Sequence, residues 1–413
     1  LPGIDNTFFC ATVLAISSLI IASMYLVLSA RSGNFVNVLT PFLLISIPAY
    51  FILEFAYLLF FKYSGTRFAY SYVYATYTAG VVAKTIGYLS ASSRVMPLLF
   101  QLPRIRVGGI AFIFLCLAFA LYLPVLIEFG HLITSPREIY SLTRTGYGLE
   151  SFLSTFCIYI GFILLLFSRG RGRAALIIYV VLSAMLLYLH GSKGQIFYLL
   201  LIWLYFSAFV RQYRFSFRRL IVLGATSSTI LLGLFYVTSS DVQKVDFLLS
   251  IAGYSSEYTR NAMRVIDDTE MESHLGQLTL EDTYYSLLPR QIFPEKRKDF
   301  GSLWLASKYY PSRFQEDRGA PAFGLGLLYA DFGIFAILYY CIGELISGAV
   351  LGILANQLRR RPDAGSFFLF AIFMDVPLIP TGTGFPIIIY YCLAHIVKLF
   401  GESPTVTREQ PEH

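Results

Sequence analysis

The sequence predicts an all-α polytopic membrane protein with about eleven transmembrane helices and one large external loop containing short helices. Three observations carry this. Hydrophobic residues make up 56% of the 413-residue chain and charged ones only 14%, against roughly 25% charged in a soluble domain. Apolar runs of about 18 residues or more, the length a helix needs to cross a bilayer, recur from end to end. Those runs do not alternate as barrel strands would, and lipid admits no third spanning structure.

Taken in order, the predicted spans cover 7–30, 38–61, 69–91, 107–129, 150–167, 174–190, 196–210, 220–238, 320–356, 366–380 and 385–400. The first run is too long for a cleavable signal peptide and has no small-residue cleavage site. The ninth is too long for one simple span, and its glycine-rich start, "GAPAFGLGLLYADFGIF", predicts a re-entrant or broken piece. The chain therefore divides into N-terminal spans over 1–238, a large external loop over 239–318, and C-terminal spans with a tail over 319–413. Within the loop, "VDFLLSIAGYSSEYTRNAMRVI" has the spacing of an amphipathic helix.

Charge sets the orientation. Arg94, Arg104 and Arg106 share a side of the predicted spans with Arg169, Arg171 and Arg173, with Arg211, Arg214, Arg218 and Arg219, and with Arg359, Arg360 and Arg361. Asp363 is the one acid among them, so this side is the cytoplasmic one by the positive-inside rule. The net charge of +7 and pI near 9.0 then reflect loops facing anionic lipid, and no nucleic-acid partner is expected.

Glu54, Lys84, Glu128, Asp331, Glu344 and Asp375 fall within spans, where ionisable groups are costly and count as functional candidates. The depths of Glu54 and Lys84 differ, which predicts that Lys84 snorkels towards the cytoplasmic surface instead of pairing with Glu54. Cys10, Cys116, Cys157, Cys341 and Cys392 lie in apolar runs without metal-ligand spacing and read as small hydrophobes.

Polar chemistry gathers on the external side. "HGSKGQ", His190 to Gln195, joins two apolar runs. Gly191 and Gly194 permit close approach of a ligand to the backbone, and the helix that follows points its positive end outward, so Lys193 marks an anion seat or an ordinary interfacial anchor. The 130–149 loop adds Arg137 and Arg144. The long loop adds "LLPRQIFPEKRKDFGSLW", with Arg290, Lys296, Arg297 and Lys298 among stiffening prolines, and then Arg313 and Arg318. Tyr147, Tyr284, Tyr285, Phe293 and Trp304 offer faces for stacking on sugars, or form the interfacial aromatic belt. The adjacent acids Asp267–Asp268 and Glu281–Asp282 lack a spaced partner and read as solvated loop faces, so no metal site is expected.

Three stretches carry a family resemblance: "GSKGQ" at 191–195, "LLPRQIFPEKRKDFG" at 287–301 and "GLGLLYADFGIFA" at 324–336. Together with the large external loop before the last spans, they resemble the bacterial oligosaccharide repeat-unit polymerases, the Wzy-type O-antigen and exopolysaccharide polymerases. That family shares a glycosyltransferase-C-like membrane fold with the O-antigen ligases. Lys193 stands where many members carry arginine, and Ala336 where a second glycine would fall.

The resemblance implies a multi-pass protein of the bacterial inner membrane with its active site facing the periplasm. Undecaprenyl-diphosphate-linked oligosaccharides would be both donor and acceptor, and a chain-length regulator and a flippase possible partners. Cleaving the sugar–diphosphate bond concentrates negative charge, which fixed cations stabilise without metal or other cofactor. Arg290 and Lys193 are the expected catalytic cations. His274 and Glu281, with Glu257 and Asp331 behind them, are the candidate general bases. Arg137, Arg144, Tyr147, Lys296 and Arg318 are the expected diphosphate- and glycan-binding residues. A ligase of the same superfamily would share this cationic site. A flippase or transporter would instead show internal repeats and a charged midplane cavity.

Overall fold

A computed structural model of the chain describes residues 2–61, 65–94, 108–134, 136–143, 147–168, 172–191, 193–238, 247–288, 293–312, 314 and 323–375. Every regular element among them is helical. The first nine α-helices are α1 (Pro2–Ser32), α2 (Leu53–Phe60), α3 (Arg67–Ala91), α4 (Gly108–Phe129), α5 (Pro136–Thr143), α6 (Gly148–Phe167), α7 (Arg173–Leu189), α8 (Lys193–Tyr205) and α9 (Phe217–Thr238). They are followed by α10 (Phe247–Ile266), α11 (Gln277–Leu287), α12 (Gly301–Tyr309), α13 (Gly326–Phe332), α14 (Ala336–Arg360) and α15 (Ala364–Asp375).

Among the described residues, four stretches, Thr7–Ser32, Gly109–Leu132, Gly148–Phe167 and Gly326–Arg360, are long and apolar enough to cross a membrane. Tyr50–Phe60, Arg173–Leu189, Gly194–Val210 and Ala364–Met374 are shorter apolar helices. The predicted run at 385–400 lies outside the described residues.

Helix α3 occupies a predicted span yet is rich in tyrosine and threonine, and its surroundings explain why. It is enclosed by α1, α10 and α14, so little of it needs to face lipid. Its threonine hydroxyls are satisfied within the helix: Thr76, Thr78 and Thr85 each donate to the carbonyl four residues back, at 2.7, 2.7 and 2.8 Å.

Helices α3 and α14 form the most extensive helix pair, and small residues let their backbones touch. A Cβ at Gly348 would collide with the Lys84 carbonyl, and one at Gly87 with the Leu345 carbonyl. The Lys84 side chain meets Glu344 across this interface. The sequence predicts snorkelling, but the ammonium is instead turned to a carboxylate of the neighbouring helix.

Hydrogen bonds between loops sort the two faces. Asn34 donates to the Tyr213 carbonyl at 2.8 Å and Asn356 to the Arg94 carbonyl at 2.8 Å, which joins loops that the basic residues assign to one side. On the opposite face the Thr66 amide donates to Asp267 at 2.9 Å, fastening the start of α3 to the end of α10.

Helix α10 is the predicted amphipathic helix. It lies against α2, α3 and α13, with Arg260 over the Tyr57 ring at 5.3 Å and Arg264 over Tyr310 at 4.9 Å. Val265, Leu278, Leu305, Ala306, Phe323 and Ala330 bury a second, smaller core that holds α10 to α13 together as an outer layer. The ninth predicted span is broken as expected. Gly333, at φ 56°, ends α13 and a three-residue turn leads into α14.

Candidate functional site

The turn between α7 and α8 is anchored from both sides. Gly191, at φ 69°, reverses the chain after α7, and Lys193 opens α8. The residues flanking the turn are held by α6. The buried His190 ring has Nδ1 2.9 Å from the Thr155 hydroxyl and Nε2 3.3 Å from the Ser154 hydroxyl. The Ser154 hydroxyl also donates to the Ala118 carbonyl at 2.9 Å and the Thr155 hydroxyl to the Ser151 carbonyl at 2.9 Å, which ties the ring into the α6 backbone. The ring also packs on Tyr122, centroids 4.1 Å apart, while the Tyr122 hydroxyl donates to the Leu189 carbonyl at 2.9 Å. Across the turn, the Tyr159 hydroxyl donates to the Gln195 carbonyl at 3.0 Å.

A cavity of about 510 Å³ opens beside this turn, within the ~300–1,000 Å³ typical of small-molecule sites. Tyr140 and Thr143 of α5 border it together with Gly148, His190, Gly194 and Gln195. Phe152, Phe156 and Ile163 of α6, Ile202 of α8, and Phe368 and Ile372 of α15 continue the wall. The lining follows helical geometry: Phe368, Ala371 and Ile372 share one face of α15, as do Gln195, Tyr198 and Ile202 on α8. Two regions expected to converge, the 130–149 loop and the Gly-Ser-Lys-Gly turn, therefore border one space. Arg137 is the second residue of α5, whereas Arg144 lies outside the described residues.

Tyr147 sits at the N-terminal edge of α6. Its hydroxyl donates to Glu128 at the end of α4, and its ring meets Phe129 edge-on at 5.9 Å. Arg290 and Arg318 lie outside the described residues. Lys296 donates to the Leu288 carbonyl at 3.0 Å and lies over the Phe300 ring at 4.9 Å, so it also clips its own loop together.

The outer layer meets the turn's support directly, since α11 packs against α6. Glu281 of α11 accepts from the Gln277 side chain at 2.8 Å and the Gly301 amide at 3.3 Å, with Arg297 at 3.9 Å. His274 is half-buried, its ring edge-on to Trp304 at 4.7 Å. Asp331 is fully buried. Its two carboxylate oxygens accept from the Leu278 amide at 3.0 Å and the Thr279 amide at 2.8 Å, capping α11. That capping gives Asp331 a structural task instead of an open position as a base.

The adjacent acids are likewise committed to protein donors, and are not merely solvated as the sequence predicts. Asp282 accepts from the Ser302 amide and hydroxyl at 3.2 and 2.8 Å, capping α12. Asp268 accepts from Lys308 at 2.7 Å and Tyr309 at 2.6 Å, and these bonds hold its carboxyl below the usual range. Asp267 takes Thr66. His190 and Asp331 have roles that sequence reasoning missed. His190 stands at the head of the very stretch that drew notice, and its position between an apolar run and a glycine turn was the available signal.

Comparison with known proteins gives a consistent result. The chain is similar to an O-antigen polymerase of Salmonella typhimurium and to one of Salmonella typhi. Each is 31% identical over 376 residues, covering 90% of this chain and 90% of the relative. No family model matches the chain, and no solved structure does.

Proposed function

Because the chain belongs to the O-antigen polymerase family, we propose that it joins undecaprenyl-diphosphate-linked oligosaccharide repeat units by glycosyl transfer at the periplasmic face of the inner membrane. The observation that carries this reading is the similarity along nine-tenths of both chains. In this reading the reaction takes place at the α7–α8 turn, beside the cavity that α5 borders.

In the reaction, an acceptor hydroxyl attacks the anomeric carbon of the donor sugar as the bond to the diphosphate oxygen breaks. The electron pair leaves with the diphosphate, and Lys193, Arg290, Arg137 and Arg144 neutralise its growing charge. Arg318 and Lys296 steady the glycan or its phosphates, with Tyr147 as a stacking face. The hydroxyl proton passes to a base. Of the candidates, His274 suits this best, because both Glu281 oxygens already accept hydrogen bonds and Asp331 is sealed inside. No metal or other cofactor takes part. Eleven crossings, with the basic loops in the cytoplasm, put the outer layer of α10 to α13 on the periplasmic side. A chain-length regulator and a flippase would act beside it.

The test is incubation of the purified protein with lipid-linked repeat units from its own host. A ladder of lengthened lipid-linked glycans is the expected product. Transfer of a single unit onto an unrelated acceptor, with no ladder, would instead mark a ligase.

A further inference from the structure

We infer that the cavity beside the α7–α8 turn holds the head-proximal isoprene units of the donor's polyprenyl carrier. This rests on the reading in which the donor diphosphate lies at that turn. One wall of the cavity follows α6. Its lining runs from Gly148 to Ile163, fifteen residues or about 22 Å of helix. Toward the turn the lining includes Thr143, Gly148, Ser151, His190 and Gln195, and beyond Thr155, midway along α6, come Phe156, Ile163 and Ile202.

That gradient suits an amphipathic ligand lying along the helix axes. The polar groups at the upper end bond to one another: Thr155 contacts both the His190 ring and the Gln195 side chain, at 2.9 and 3.4 Å. They are occupied in holding the turn. A sugar buried farther down would leave its hydroxyls without partners, at a cost of about 1–3 kcal/mol each. A hydrocarbon has no such groups to satisfy and gains from every apolar surface it covers.

On the proposed reading the occupant carries a diphosphate at the end where the cavity meets the turn. Two border elements present cationic residues in their first turns, Lys193 of α8 and Arg137 of α5. The volume of about 510 Å³ is far too small for a whole undecaprenyl chain. Only the first units enter, and the remainder passes into the bilayer. The cavity thereby distinguishes donor from acceptor, since the acceptor's diphosphate stays intact, away from the reacting bond.

The experiment uses the full chain in nanodiscs of phosphatidylglycerol and phosphatidylethanolamine. A geranylgeranyl diphosphate bearing a diazirine on its terminal isoprene is photolysed with it, and adducts are located by peptide mass spectrometry. Adducts are expected within 152–163, 198–202 or 368–372, and excess undecaprenyl diphosphate should suppress them. Ala371→Phe fills the cavity and should weaken probe binding about tenfold. Ile202→Phe repeats the test should that variant fail to fold, and the wild-type adduct map needs neither. Adducts confined to other segments overturn the inference, as does suppression by excess phosphatidylglycerol equal to that by undecaprenyl diphosphate. Ladder formation is measured in the same preparation. A ladder without cavity adducts sinks the cavity assignment and leaves the polymerase reading standing, whereas absence of any ladder counts against the polymerase reading itself.

Discussion

The Lys84 ammonium lies 3.2 Å from the Glu344 carboxylate, with only 12% and 8% of the two side chains exposed. The pair joins α3 to α14 at the point where Gly348 brings the two backbones together. It sits at ion-pair distance but outside hydrogen-bond geometry. Two charges in so dry a place hold each other there, and neither would be tolerated alone.

Replacing one partner should therefore cost much more than replacing both. Lys84→Met is expected to destabilise the protein by about 3–5 kcal/mol, because Glu344 is left uncompensated. The Lys84→Met, Glu344→Leu double variant should recover most of that loss. Unfolding of the detergent-solubilised protein, followed by circular dichroism, measures both. Equal destabilisation by the single and double variants would show that the pair carries no coupling.

The cationic assignment is tested by activity. A charge-assisted contact contributes about 1.5–3 kcal/mol, so Lys193→Ala and Arg290→Ala should each slow polymerisation roughly 10- to 150-fold. Lys193→Arg should retain more activity than Lys193→Ala. A well-folded double alanine variant that elongates glycans at the wild-type rate would remove both residues from the site.

Metal dependence is read by chelation. Polymerisation in EDTA is expected to match the rate with added Mg²⁺, because fixed cations carry the diphosphate charge. Asp267, Asp268, Glu281 and Asp282 already bind protein donors. Loss of activity in EDTA, restored by Mg²⁺ or Mn²⁺, would return those four acids to consideration as ligands.

The Asp268 anchor gives a pH dependence of known sign. Lys308 and Tyr309 lower its folded-state pKa below the ordinary value of 3.8. The ionised group therefore stabilises the fold fully above that value, and the contribution drains away as pH falls below it. Asp268→Asn should melt at a lower temperature than wild type at pH 7, and the gap should narrow by pH 3. A gap of constant size across that range would mean the charge is irrelevant to the anchor.

The broad plan was legible in the sequence because it depends on local patterns. Apolar runs gave the long helices, the spacing of Phe247–Ile266 gave α10, and the glycine-rich start of the ninth run gave the break at Gly333. Pairings across the chain were not legible. Nothing near Lys84 indicates that Glu344 will face it, and helix depth alone pointed to snorkelling. The adjacent acids read as a solvated face, since capping partners such as Ser302 and docking partners such as Thr66 are brought near only by folding. His190 went unassigned because the apolar run and glycine turn around it mark a helix end but name no partner for its ring. Its bonds go to Thr155 and Ser154 of α6, 35 and 36 positions earlier in the chain.

The close backbone contact between α3 and α14 has a mechanical consequence. The outer layer is fastened to this pair by Thr66 on Asp267 at the head of α3, and it runs into α14 through the turn at Gly333. The cavity belongs to other helices, α5, α6, α8 and α15. The layer thus rides on this strut and on α2 like a signboard on two posts, and it leans on the cavity's side of the molecule where α11 meets α6. Shortening or stiffening that lean alters the clearance above the turn while the strut and the cavity walls keep their shape.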